Sequence, residues 1–324
     1  MFNHPKRTMK GIALLSIIGL SVSACSSETD DGGGADDATA TIVVTTTQIG
    51  SVVSQITECA GGQTQVLMSP GDDPHQFEAS SAQIVDMINA DLVVTNGLGL
   101  EASMQRSLDN AVTDGAHVVE LAPQLDPLPL GDDHQHEPQE HADHDHNHEH
   151  GNDDPHVWMD VSRMATGAQL IGDKVAQRTG DDTYADCGAE IADELHALDA
   201  QIEELLVDVV SARLVTDHAA YGYFADRYGV TIEGVVIPGG STDGEPSSQD
   251  LVQLTQLLND QGADALVTSI ANKNRMVQAL AEETGNEIPV VELYEAGVGE
   301  PGSETETYQQ AMLYNAKALA EAMN

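Results

Sequence analysis

The sequence predicts an α/β protein of two parallel-sheet lobes joined by one long helix. Three observations carry this. Short β-branched runs alternate with helical segments from residue 41 to residue 121, and the same rhythm restarts near residue 214. Between them a single apolar stripe runs along one extended helical segment.

The elements follow in order. Thr41–Thr46 (TIVVTT) reads as a buried strand, and helical material begins over Val52–Thr57. Thr64–Met68 is a second short strand. Ser80–Asn89 is helical with Ser80 or Ser81 as N-cap, and Asp91–Thr95 (DLVVT) is a third strand ended by Asn96-Gly97. Glu101–Val112 reads as a helix and His117–Leu121 as a fourth strand. Strands separated by helices imply parallel pairing, so residues 41–160 form the first lobe. Within it, Pro123, Pro127 and Pro129 open a run of His, Asp, Glu, Asn and Gln without apolar periodicity. This run buries too little to order itself and predicts a mobile insertion over 131–154.

Residues 161–212 read as the connector. Val161–Val175 is helical, and a longer helix runs from about Thr183 to Ala212. In it Ile191, Leu195, Leu198, Ile202, Leu205 and Val209 recur at steps of 4, 3, 4, 3 and 4. That is one buried face on a helix of about 45 Å, which suits a spacer between lobes. The second lobe, 213–324, alternates again: strands at Leu214–Thr216, Thr231–Ile237, Ala265–Thr268 and Pro289–Leu293, helices at Ala219–Tyr228, Ser247–Asn259, Arg275–Glu283 and Tyr308–Ala322.

The N-terminus reads as a targeting signal. Lys6, Arg7 and Lys10 precede the apolar Gly11–Leu20, which is too short to span a bilayer comfortably. Val22-Ser23-Ala24-Cys25 then resembles a lipobox. Residues 1–24 are therefore expected to be a lipoprotein signal peptide, with Cys25 as the lipidated first residue of the mature chain. Residues 25–40 form a flexible acidic tether. The remaining cysteines, Cys59 and Cys187, form an even pair outside the cytoplasm, which favours a disulfide over two free thiols.

There are 54 acidic residues against 12 basic ones, a formal net charge of −42. That field repels nucleic acid and anionic headgroups. It reads first as solubility, or adaptation to salt, rather than as the mark of a particular ligand.

The chemistry-bearing candidates are three histidines. His75 follows the second strand in SPGDDPHQFE, His156 sits in DDPHVWMD, and His218 follows the first strand of the second lobe in TDHAAYGYF. Ligands of parallel α/β sheets gather at the carboxyl ends of strands, and Pro74 and Pro155 stiffen the backbone before two of the three rings. A borderline ion such as Zn²⁺ takes a few neutral imidazoles held in fixed orientation. Taken singly, each ring reads more readily as structural or surface, and their spacing does not decide the matter.

The blocks PGDDPHQFEASSAQ, ADLVVTNGLGLE, DPHVWMD, TDHAAYGYFADRYG and VVELYEAGVG, with the C-terminal TYQQAMLYNAKAL, resemble the bacterial zinc/manganese ABC-transporter solute-binding proteins. These are metal receptors with a rigid helical backbone, and the likeness covers nearly all of the mature chain. It implies His75, His156 and His218 as metal ligands, docking of the loaded protein on an ABC-transporter permease, and a monomer anchored at the extracytoplasmic face of the bacterial membrane. Many relatives carry a fourth-ligand Asp in a segment like LYTDSLG. Here Ala296 falls on that position and Glu295 stands one residue early, either as the fourth ligand or as an exposed loop carboxylate. Losing the Asp favours Zn²⁺ over Mn²⁺ as the transported ion, with manganese as the alternative.

Zinc-handling members of the family often carry a His-rich insertion. Here His134, His136, His141, His144, His146, His148 and His150 stand among carboxylates, as auxiliary zinc collectors or as a solvated insert. Neutral imidazoles are required, so affinity is expected to fall as pH drops through about 6.5. From another class, a secreted zinc metallohydrolase also presents three histidines and a water, but the chain has no HExxH helix and no assignable general base. A surface adhesin role is the third reading.

Overall fold

A computed structural model describes residues 39–130, 153–260, 262–271, 274–285 and 288–323. The expected signal peptide (1–24), Cys25, tether residues 26–38, and the histidines at 134, 136, 141, 144, 146, 148 and 150 lie outside the described residues.

Two four-stranded parallel sheets carry the fold. The first has the order β2-β1-β3-β4, from β1 (Thr41–Val44), β2 (Gln63–Val66), β3 (Leu92–Thr95) and β4 (Val118–Glu120). The central strands β1 and β3 read as unbroken apolar runs because both faces are covered. Ile42 and Val44 join a cluster with Ile49, Val53 and Trp158, while Val43 joins Met87, Met104 and Leu108 on the opposite face.

Helix α1 (Thr47–Ala60) ends at Gly61, whose positive φ of 81° lets its N–H cap the Thr57 carbonyl. Helix α2 (Ser81–Asn89) starts on a capping box between Ser80 and Gln83, which settles the N-cap on Ser80. Helix α3 (Gln105–Thr113) begins later than the pattern implied. Glu101 is not a first-turn residue: its carboxylate turns inward to accept bonds from Thr45 Oγ1 and from the N–H groups of Asn96 and Gly97.

The connector is a hairpin of α4 (Val161–Thr179) and α5 (Thr183–Leu205), turned at the positive-φ Gly180. The long helix stops at Leu205 instead of running to Ala212. The β-branched Val207, Val209 and Val210 disfavour continuation. Val209 stays buried because the chain turns in place, with Ser211 N–H donating to the Gly229 carbonyl.

The second sheet has the order β6-β5-β7-β8, from β5 (Arg213–His218), β6 (Thr231–Ile237), β7 (Ala265–Ser269) and β8 (Val290–Leu293). Its helices are α6 (Gly222–Tyr228), α7 (Ser248–Asn259), α8 (Arg275–Glu283) and α9 (Tyr308–Ala322).

The lobes share one buried cluster. It runs from Ile42 and Val94, through Leu195 and Ile202 of α5, to Val267, Leu293 and Tyr308. Cys59, at the end of α1, is bonded to Cys187 of α5 across 128 residues, with a Cα–Cα distance of 6.0 Å. Among the described residues no helix is long and apolar enough to cross a membrane.

Helices α4 and α5 meet backbone to backbone at two glycines. A Cβ on Gly172 would lie 2.5 Å from the Tyr184 carbonyl oxygen and 2.9 Å from the Gly188 Cα. Alanine at an ordinary helical site gains about 1 kcal/mol over glycine, but rigid backbone leaves this methyl no room, and overpacking costs about 1–3 kcal/mol. Gly172→Ala is therefore expected to lower the free energy of unfolding by up to about 2 kcal/mol on balance. Chemical denaturation checks this, and a stabilised variant would refute the close crossing.

Candidate metal centre

Each of the three histidines is presented by a carboxyl end of strand or a proline-stiffened turn, and two of the rings are oriented by a neighbouring carboxylate. His75 follows the turn after β2, where its N–H donates to Asp73 Oδ1 at 3.0 Å. His156 opens a 3₁₀ turn at Val157–Met159, and Asn96, at the carboxyl end of β3, holds the preceding Pro155 carbonyl at 2.9 Å. His218 is the last residue of β5.

Two of the rings have carboxylate partners. His156 Nδ1 lies 2.7 Å from Asp154 Oδ1, and His218 Nδ1 lies 3.1 Å from Asp217 Oδ1. Asp217 is held in turn by Ser269 N–H at 2.7 Å and Thr268 Oγ1 at 3.2 Å. A carboxylate on Nδ1 keeps the proton there and turns the Nε2 lone pair outward, the arrangement that serves a metal ligand.

The structure brings His75, His156 and His218 together, with one nitrogen from each within 4.8 Å of the others. All three are buried, at 7%, 0% and 3% exposure. His75 Nε2 and His156 Nε2 are 3.2 Å apart, and His218 Nε2 is 3.5 Å from Glu295 Oε1. Tetrahedral ligands about 2.0–2.1 Å from a zinc ion stand about 3.3–3.4 Å from one another, so these two separations are those of neighbouring ligands; the group within 4.8 Å comprises the three imidazoles, with Glu295 beside His218.

Glu295 is not an exposed loop carboxylate. It is 2% exposed, and its Oε2 has no hydrogen-bond partner in the protein. Ala296 beside it is buried and brings no oxygen side chain. His218, Glu295 and Asp217 border a cavity of about 450 Å³ that also reaches Asp73 and Thr242.

The electrostatics divide the rings. Burial, reinforced by the two neighbouring imidazoles, pushes the His75 pKa down to about 2, so this ring stays neutral. Burial also pulls His218 down, but the Glu295 and Asp217 carboxylates outweigh it and hold that imidazole well above the usual histidine value. Burial first, then Asp217 and Glu295, raises the Tyr221 phenol far beyond its ordinary range, so it stays protonated beside them.

Sequence reasoning missed four groups. Asp154 and Asp217 were passed over as orienting carboxylates, although D-P-H and D-H are the local spacings that let a carboxylate reach a nearby ring. Asn96 was read as turn chemistry, yet its side chain holds the backbone before His156. Trp158 is buried, and its Nε1 donates to the Glu295 carbonyl at 2.8 Å.

The family model described as zinc-uptake complex component A, periplasmic, matches residues 42–322. A manganese-binding lipoprotein MntA of Halalkalibacterium halodurans is 25% identical over 317 residues, 96% of this chain and 97% of that one. The zinc-binding protein TroA of Treponema pallidum is 27% identical over 287 residues, covering 86% and 87%. The zinc-binding lipoprotein AdcA of Streptococcus pneumoniae is 28% identical over 278 residues, 83% of this chain and 54% of that longer one. The solved structure of the periplasmic zinc-binding protein TroA from Treponema pallidum superposes with a TM-score of 0.74 at 23% identity, over 88% of this chain and 99% of that one, a likeness of fold. The chain belongs to the zinc-uptake complex component A family, the extracytoplasmic metal-binding receptors of ABC transporters, which are solute-binding proteins and not enzymes.

Proposed function

We propose that this receptor captures Zn²⁺ through His75, His156, His218 and Glu295 and delivers it to a membrane permease, while Cys25 carries the lipid that anchors it. The convergence of three buried imidazoles within 4.8 Å, with a buried carboxylate 3.5 Å from one of them, carries this reading. First-lobe residues supply two rings, and the second lobe supplies the third ring and the carboxylate.

Zinc is favoured by the donor set. Three neutral nitrogens and one oxygen suit a borderline ion, whereas manganese prefers more oxygens than a site with Ala296 beside Glu295 supplies. Manganese is the second reading. The manganese-binding name of a relative spanning 96% of this chain favours it, as does the unpartnered Glu295 Oε2, which offers a second oxygen.

The His-rich segment is proposed to gather zinc for the pocket. Its described ends support this. Asp154 N–H donates to the Leu128 carbonyl at 2.8 Å, Pro129 and Asp153 form a bridge, and Asp154 is the residue that orients His156. Ions held by the segment would be released beside the buried rings.

Three outcomes test the proposal. Alanine at position 75, 156 or 218 should each weaken zinc binding by about 100-fold or more in a chelator-competition titration, since three donors cannot close a tetrahedral site. A mature protein that fills with manganese and excludes zinc would overturn the choice of ion.

Acid should weaken binding from a higher pH than an ordinary histidine implies. His218 holds its proton above the usual pKa, and below that pKa the ion must displace it, so the apparent affinity falls about tenfold per pH unit. His75 adds nothing to the loss in this range because it is already neutral. Glu295→Gln removes the leading carboxylate that raises His218 and should shift the onset toward acid. Isothermal titration across pH 5–8 reads both, and an onset unmoved by the substitution would contradict the pairing.

Deleting residues 132–150 should slow growth under zinc limitation while leaving the affinity of the buried site unchanged. Equal growth at every zinc level would remove the collecting role.

A further inference from the structure

The loop that carries Glu295 is held by the other lobe. Its carbonyl accepts two side-chain bonds, from Trp158 Nε1 at 2.8 Å and from Gln48 Nε2 at 3.2 Å. Three residues on, Val298 N–H donates to Thr47 Oγ1 at 3.2 Å. Thr47 and Gln48 open α1, and Trp158 follows His156 by two residues, so all three donors and acceptors belong to the first lobe. All three are buried, and Trp158 is itself fixed where its carbonyl accepts Tyr308 OH at 2.5 Å.

A carbonyl oxygen has two lone pairs, and here both are engaged. The peptide plane at residue 295 is therefore set from outside its own lobe, and with it the direction in which the Glu295 side chain leaves the backbone. That side chain ends 3.5 Å from His218 Nε2 with one oxygen unpartnered.

We infer that Trp158 and Gln48 are positioning residues for the metal site. By gripping the carbonyl of residue 295 they set where its carboxylate stands, and they do so through contacts that join the two lobes. The inference rests on the reading of Glu295 as a ligand. It adds that the fourth donor is in place only when the first lobe is docked against the second.

Trp158→Phe keeps an aromatic ring against His156, whose centroid is 5.2 Å away, and removes the N–H. Gln48→Met keeps length and removes the donor, and it serves if the tryptophan variant folds poorly. Each is expected to weaken zinc binding about tenfold in the otherwise native protein, the size typical of an outer partner of a ligand. In a Glu295→Ala background neither should weaken it further, because the group being positioned is gone. The visible spectrum of the Co²⁺-loaded Trp158→Phe protein should move toward that of Glu295→Ala, a change that general loosening would not produce. Equal losses in both backgrounds, or no loss in either, would overturn the positioning role. If Glu295→Ala alone leaves zinc affinity unchanged, the ligand reading fails first and the inference falls with it.

Discussion

The centre of this molecule is a constraint on protons. Buried rings can serve one cation only if each is neutral and turns a lone pair inward, and imidazole does neither unaided. Asp154 and Asp217 impose the tautomer on His156 and His218 by taking the Nδ1 side. His75 has its neutrality enforced by burial and by the two other rings. Each device depends on backbone placed by secondary structure: Asp217 is locked by the carboxyl end of β7, and His156 by Asn96 at the end of β3.

That dependence explains the architecture. Two parallel sheets present loops at the carboxyl ends of their strands, and a pocket built from both needs those ends held in register. One buried cluster running through α1, α5 and α9 holds them, with the Cys59–Cys187 bond and the glycine crossing of α4 and α5 beneath it. A shared core resists wide hinge opening, because separating the sheets would expose apolar surface of Ile42, Leu195 and Tyr308 together. Small motions that leave this core intact are the ones the fold permits.

Much of this was legible in the chain. The β-branched runs, alternating with helical segments, located all eight described strands to within a few residues, most clearly the central β1 and β3, whose covered faces leave near-continuous apolar runs. The end of the long helix was not legible. Val209 sits on the apolar stripe whether the chain continues as helix or turns in place, and hydrophobic spacing cannot separate the two. At the site, rings about 60 to 80 residues apart have no sequence periodicity linking them. The blocks around them pointed to a shared pocket, and the fold was needed to show it. The burial of Glu295 was least legible, since it follows from donors on Trp158 and Gln48, far away in the chain.

The charge of −42 and the buried donors act on different scales, and only the second can choose an ion. Surface carboxylates attract any divalent cation, and salt screens that attraction within about 8 Å. At the proposed site the cation would meet three uncharged nitrogens, with the Glu295 carboxylate and the two carboxylates that orient the rings around them. Its positive charge is therefore compensated at close range where water is scarce and electrostatic contacts are strong. Nitrogen donors favour the later divalent metals over manganese, and each nitrogen exchanged for an oxygen narrows that preference. On the zinc reading, a single glutamate at 295 supplies the oxygen, and the first lobe's hold on its carbonyl helps place that oxygen against the three nitrogens.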